Sequence, residues 1–385
     1  MKEFLCFVPG AGTAPSEQAH ECLVELRTAL RERGLRPGHI LKLAFFVRAS
    51  GPADYLRKKR SVVEGLRAFF PGSWPAVGVI AQPPEKGRDV VLEAVVLGRP
   101  SRSIEVIPKG YRGVPYVLVR AEGGREVVAG GISGGAKGAF GKAAGLLARE
   151  GLGLADIARQ WNFIEDIVGF SPRGGRRHQN YQIFNDIRAI AYDGAGLRAG
   201  FPAATGIGMN AGGFILEMIA GAGTAAEKSF PVSNPRQVDA HRYSRGVLVG
   251  QPLSGRSTKK TPRFERANVV FSGNAGICWV SGTAAIVGED VVGRGDVAKQ
   301  TRATVRTIER LVAPSNLRAA GVPLRSLAPT FTYVRTYVKN ERDIPEVRKI
   351  VRGAFGKAPA LFLVSDICRD DLLVEIEGAV AVRTC

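Results

Sequence analysis

Asp366–Gly378 reads DICRDDLLVEIEG and places a thiol, Cys368, and two carboxyls, Glu375 and Glu377, within and just ahead of an apolar run. If the run is a strand, Leu373, Glu375 and Glu377 share one face, and Leu372, Val374 and Ile376 share the other. A carboxylate so placed either sits at a solvated edge or is held in a partly dry site. In a dry site the neutral form is favoured, and the group can deliver a proton near pH 7. Cys368 taken alone reads as a small buried residue.

Other polar groups stand in patterns that admit two readings. Asn180–Asp193 has helical spacing, with Tyr181, Phe184 and Ile187 or Arg188 on adjacent turns. Tyr181 and Phe184 then read as core. Arg188 either pairs internally or faces a cleft that holds an anion. The stretch Asn234–Arg245 (NPRQVDAHRYSR), with Arg236, Gln237, Arg242 and Tyr243, has little periodicity and reads as a surface loop. Ser133 lies in a literal GxSxG, Gly131–Gly135, but the surrounding elements do not form the doubly wound parallel sheet of a serine hydrolase. Gly135–Lys142 fails as a phosphate loop, because Ala136 takes the place of the first glycine and Ala143 that of the hydroxyl residue. Five cysteines and four histidines are dispersed without zinc-ligand spacing, so neither a metal nor a disulfide framework is expected.

The chain has 385 residues, a net charge of +19 and 45% hydrophobic residues. That length accommodates two or three units. The charge would suit nucleic acid, a membrane surface or a small anion. No basic stripe is interleaved with aromatics, as single-strand binding needs. The clusters Arg173–Arg177 and Arg256–Arg266 sit among Gly, Ser and Pro and read as solvated loops. No apolar run reaches the roughly 18 residues of a membrane span, and the N-terminus has too short an apolar stretch for a signal peptide. A cytoplasmic protein is expected.

Elements able to position these groups recur threefold. Near the start, Leu41–Val47 reads as a strand, Ala53–Phe70 as a helix, then Trp74-Pro75-Ala76 and a strand, then Asp89–Leu97 as a closing strand. The same strand–helix–strand–strand order returns with Trp161–Val168, Asn180–Asp193, Phe201-Pro202-Ala203 and Gly213–Ala220. It returns again with Phe331–Val338, Ile344–Phe355, Pro359-Ala360 and Asp371–Val380. Aligning the closing strands places Glu93 and Glu217 on Glu375. A hairpin and helix precede the second and third copies (Tyr116–Gly131 with Gly138–Glu150, and Asn268–Val287 with Val297–Val312). The first copy has only Glu3–Pro9 and a helix over Pro15–Gly34, and looks truncated. The expected units are 1–105, 106–232 and 267–385, with a polar segment at 233–266.

Each unit resembles the RidA/YjgF superfamily, on the hairpin ending Val280-Ser281-Gly282 and the strand VEIEG around Glu375. That resemblance implies an α+β fold of three RidA-like (chorismate-mutase-like) units in one chain, mixed sheets backed by helices, arranged as a pseudo-trimer. The strings Asn180–Met209, Asn234–Arg245, Pro262–Gly273, Val280–Glu289 and DICRDDLLVEIEG are similar to the chorismatase family. The resemblance implies a cofactor-independent conversion of chorismate to pyruvate plus a hydroxybenzoate or a dihydroxycyclohexadiene acid. It gives Glu375 the role of acid and Cys368 a part in aromatisation to 3-hydroxybenzoate. Substrate contacts would come from Tyr181, Arg188, Gln237, Arg242, Tyr243 and Ser281, with Arg188 and Arg242 as candidates for the carboxylates. A monomer without nucleic-acid or membrane partners is expected. Against the simpler imine-deaminase reading, Val77, Ala204 and Leu361 follow the three Pro-Ala pairs where a carboxylate-binding arginine would stand. The alternatives are chorismate hydrolysis to the diene diol, an imine hydrolase, and a basic nucleic-acid-binding protein.

Overall fold

The computed structural model describes residues 2–98, 100–101, 103–173, 176–197, 200–223, 229–252, 258–324 and 330–384. Cys385, Arg256 and the centre of the Arg173–Arg177 cluster lie outside the described residues.

The first unit runs β1 (Lys2–Phe7), α1 (Pro15–Glu32), β2 (Ile40–Val47), α2 (Pro52–Phe69), β3 (Ala76–Ile80) and β4 (Val90–Leu97). The second runs β5 (Glu105–Tyr111), β6 (Val114–Ala121), β7 (Gly124–Ser133), α3 (Gly135–Arg149), β8 (Ile157–Glu165), β9 (Phe170–Arg173), β10 (Arg176–Gln179), α4 (Asn180–Asp193), β11 (Ala203–Met209) and β12 (Phe214–Gly223). The third runs β13 (Ser229–Val232), β14 (Ala267–Ser272), β15 (Ala275–Ala284), β16 (Ile286–Val287), β17 (Asp290–Val291), α5 (Val297–Leu311), α6 (Pro314–Ala319), β18 (Thr330–Val338), α7 (Ile344–Phe355), β19 (Ala360–Val364) and β20 (Val374–Arg383).

Their sheets are ordered β1-β4-β2-β3, β11-β8-β12-β7-β6-β5 and β13-β14-β15-β20-β18-β19. In each, one parallel pair (β2 with β3, β8 with β11, β18 with β19) is spanned by a helix, and the closing strand pairs antiparallel beside it. Parallel neighbours need such a crossover, which makes the sheets mixed and the fold α+β. The helices begin where proline is tolerated, at Pro15, Pro52 and Pro314. Gly356, with φ 61°, ends α7 in a backbone conformation that favours glycine. Strand β13 pairs with β14, so the third sheet takes up chain already at Ser229, before the polar segment. The edge strand β5 was not expected from the sequence; its burial is only partial, which blurs the alternation.

One expectation is corrected. The closing strand of the third unit starts at Val374 rather than Asp371, because Leu373 N–H donates to the Gln300 side chain instead of a neighbouring strand. Counted from the strand starts, the fourth residues are Glu93, Glu217 and Glu377, and Glu375 has no acidic counterpart. The three equivalent acids are buried at the junction of the sheets and pair across units. Lys42 meets Glu217 at 2.5 Å, Arg159 meets Glu377 at 2.7 Å, and Arg335 meets Glu93 at 2.5 Å. Trp161 and Trp279 pack edge to face beside them at 6.1 Å.

Candidate active site

Strand β20 carries Glu375 and Glu377 on one face, while Val374 and Ile376 turn to the apolar core beneath α5 and α7. Opposite them, the pairing of β15 with β20 slips between Val280 and Thr283, leaving a bulge at Ser281 and Gly282. Bulges re-aim side chains. The Ser281 hydroxyl accepts from Ala204 N–H at 2.8 Å and donates to Glu265 O at 2.6 Å, tying β11 of the second unit to β15 of the third. Gly282 then faces the acid: a Cβ there would lie 2.0 Å from Glu375 Oε1. Thr205 fixes this corner, accepting from Gly282 N–H at 3.1 Å and from Arg159 Nη2 at 2.7 Å while donating to Glu377.

Beside Glu375 opens a cleft of about 690 Å³, counted to its mouth, at the boundary of the second and third units. The second unit contributes Gln179, Tyr181, Gln182 and Asn185 at the start of α4, with Ala204 and Gly206 of β11. The third contributes Gly282, Ala284, Cys368, Arg369 and Glu375, and the intervening segment adds Tyr243, Leu248, Phe264 and Arg266.

Glu375 is 4% exposed, and no hydrogen bond to its carboxyl is made among the described residues. Burial, reinforced by Glu377, raises its pKa to about 8, against the pull of Arg159 and Arg266. The acid is therefore mostly protonated at neutrality. Asp370 and Asp371, close by in sequence, pair with Lys339 and Arg294. Burial, with Glu375 next, also drives the Cys368 thiol up to about 12, so it is a neutral thiol.

Of the residues singled out in the sequence, Glu375, Cys368, Tyr181 and Tyr243 line the cleft. Arg188 lies just behind it, buried, donating to Asn185 Oδ1 at 2.8 Å and stacked 4.7 Å from the Phe184 ring centre. Gln237 stands behind the wall, donating to Ile286 O at 3.2 Å. Ser281 is fully buried and structural; its neighbour Gly282 takes the lining position. Arg242 is exposed in a short turn and does not line the cleft.

The cleft's cations are two arginines that sequence reasoning passed over. Arg266, expected in a solvated loop, is 4% exposed and donates to the Tyr243 hydroxyl at 2.8 Å and to Val238 O. Its Nε has no hydrogen-bond partner among the described residues. Arg369 donates to Glu289 O at 2.7 Å and lies 5.4 Å from the Tyr243 ring centre. A dry neutral acid, two arginines and several aromatic rings suit protonation of a small dianion with an apolar body.

Residues 120–220 match the family model described as chorismatase FkbO/Hyg5-like, N-terminal. A 3-hydroxybenzoate synthase of Streptomyces hygroscopicus is 35% identical over 237 residues, covering 60% of this chain and 65% of that protein. A chorismatase of Streptomyces rapamycinicus is 34% identical over 232 residues, covering 60% of this chain and 65% of that protein. The matched stretch thus spans slightly less than two thirds of these relatives. A chorismatase crystal structure superposes at a TM-score of 0.70 and 22% identity, covering 99% of this chain and 98% of that one. A YjgF/YER057c/UK114-family protein of Mycobacterium tuberculosis aligns over 30% of this chain and 84% of its own, at 26% identity and a TM-score of 0.22.

Proposed function

We propose that this chain, which has the chorismatase fold throughout and a chorismatase FkbO/Hyg5-like match over residues 120–220, converts chorismate to pyruvate and 3-hydroxybenzoate. The observation that carries the reading is the buried Glu375 carboxyl, held in its acid form in a cleft walled by Arg266 and Arg369. Substrate and relatives' activities enter through similarity to the synthase and chorismatase named above.

In this mechanism Glu375 protonates the methylene carbon of the enolpyruvyl ether. The resulting oxocarbenium ion weakens the ether bond to the ring, and its cleavage releases pyruvate. As the pyruvate oxygen leaves ring carbon C3, the neighbouring C4 hydroxyl oxygen bonds to C3 and gives up its proton, which restores the acid. The epoxide so formed reopens at its C4–O bond, and the C3 hydrogen is lost as a proton while the oxygen gains one, giving 3-hydroxybenzoate. Pyruvate and hydroxybenzoate together hold all the atoms of chorismate, so this route consumes no net water, whereas the diene diol requires one. Arg266 and Arg369 each serve one carboxylate, every charge-assisted contact contributing on the order of 1.5–3 kcal/mol. A glutamic acid titrates near 4.3 when exposed, so burial supplies the upward shift the task needs. Cys368, a neutral thiol, acts as a wall and weak donor beside the ring rather than as a resting thiolate base.

The test is pyruvate release from chorismate. Glu375→Gln, which keeps the shape and removes the proton, should fold normally and lose at least a thousandfold in rate. Retention of a tenth of the wild-type rate would remove Glu375 from the role. Cys368→Ala should change the ratio of aromatic to diol product while leaving pyruvate release substantial. An unchanged chromatogram would detach the thiol from product choice.

A further inference from the structure

A second cleft, of about 540 Å³, lies at the boundary of the third and first units and is built from the counterparts of the catalytic cleft. Where the catalytic cleft uses α4 and β11 of one unit and β20 of the next, this one uses α7 and β19 of the third unit and β4 of the first. The second residue of β20 is Glu375; the second residue of β4, at the corresponding wall, is Val91. No acid stands where one would be needed to protonate an occupant.

Its charges are unbalanced. Arg348 and Arg352 sit one turn apart on α7, where like charges repel. Arg88 joins them from the β3–β4 connection. Glu85 is the single acid among the lining residues, and Arg348 (2.8 Å) and Arg88 (3.4 Å) share one of its oxygens, Oε2. Arg352 is exposed and forms no ion pair among the described residues; its Nη1 donates to Ala358 O at 2.9 Å. The floor is apolar, with Phe362 lying 5.0 Å from the Arg348 guanidinium.

We propose that this cleft is a binding site for a small carboxylate with a flat apolar body, which it holds without converting. The guanidinium groups of Arg348 and Arg352 take the carboxylate, and Phe362 and Val91 take the body. The inference does not depend on the catalytic reading, because its readout is binding.

Equilibrium dialysis of the full chain with benzoate tests it. Arg348→Gln/Arg352→Gln should bind one benzoate fewer per chain than wild type, with pyruvate release retained. Whatever sites the double variant still holds report on the catalytic cleft, so failure there is seen separately. Should the double variant misfold, Arg352→Gln alone carries the test and should weaken one class of sites at least threefold. Unchanged stoichiometry and affinity in the variants would overturn the proposal. So would inorganic phosphate competing for the variant-sensitive site as well as benzoate, since phosphate has no apolar body.

Discussion

At the scale of single residues, the state of one proton governs the proposed chemistry. With Glu375 raised to about 8 by burial and Glu377, the competent acid dominates below that value and is lost as pH rises through it. The kcat/KM for chorismate should therefore be level across neutrality and fall about tenfold per pH unit on the alkaline side of 8. A pH series of initial rates checks this, and a rate that climbs from pH 7 to 9 would contradict it. Glu375 itself was legible in the sequence, because an acid inside an apolar strand has few fates. Arg266 was not. Its burial depends on Tyr243 and Val238, more than 20 residues upstream and brought to it only by tertiary folding. Arg242 looked as suitable on the page because local composition carries no record of which arginine faces inward.

At the scale of elements, strand and helix positions followed from periodicity, and Asn180–Asp193 and Ile344–Phe355 form helices with the bounds expected. The bulge in β15 escaped, since a period-two pattern cannot show where two strands slip. That slip decides between neighbours, assigning Ser281 to the joint and Gly282 to the cleft. The two positions should therefore separate by experiment. Ser281→Ala removes the hydroxyl's bonds to Ala204 N–H of β11 and to Glu265 O and should cost about 1–3 kcal/mol in urea unfolding, with kcat per folded molecule largely kept. Gly282→Ala forces the Glu375 carboxyl aside and should lower kcat on the order of a hundredfold, with a much smaller change in urea midpoint. Equal effects of both substitutions on both measurements would mean the bulge does not divide the roles.

At the scale of the whole molecule, the units share one charged interior, although Arg335 also meets Glu377 of its own unit at 3.0 Å. Each of the three cross-unit pairs takes its base from one unit and its acid from another, cyclically: first to second, second to third, third to first. Burial alone would raise Glu93, yet Arg335 and Lys42 hold its pKa below the ordinary carboxylate value, which shows how strongly the pairing compensates for dehydration. Separating the units would strand these charges in apolar surroundings, so the chain should unfold in one transition. Far-UV circular dichroism and the fluorescence of the central Trp161 and Trp279 should trace coincident curves. Lys42→Met leaves Glu217 buried without its cation and should destabilise by about 3–5 kcal/mol, whereas Lys42→Met/Glu217→Met removes both charges and should recover most of that loss. If the double variant were as unstable as the single one, or if the two probes unfolded in separate steps, the ring of charges would not be what holds the three units to one another. The catalytic cleft would then need another cause for keeping Thr205 of the second unit against Gly282 and Glu377 of the third.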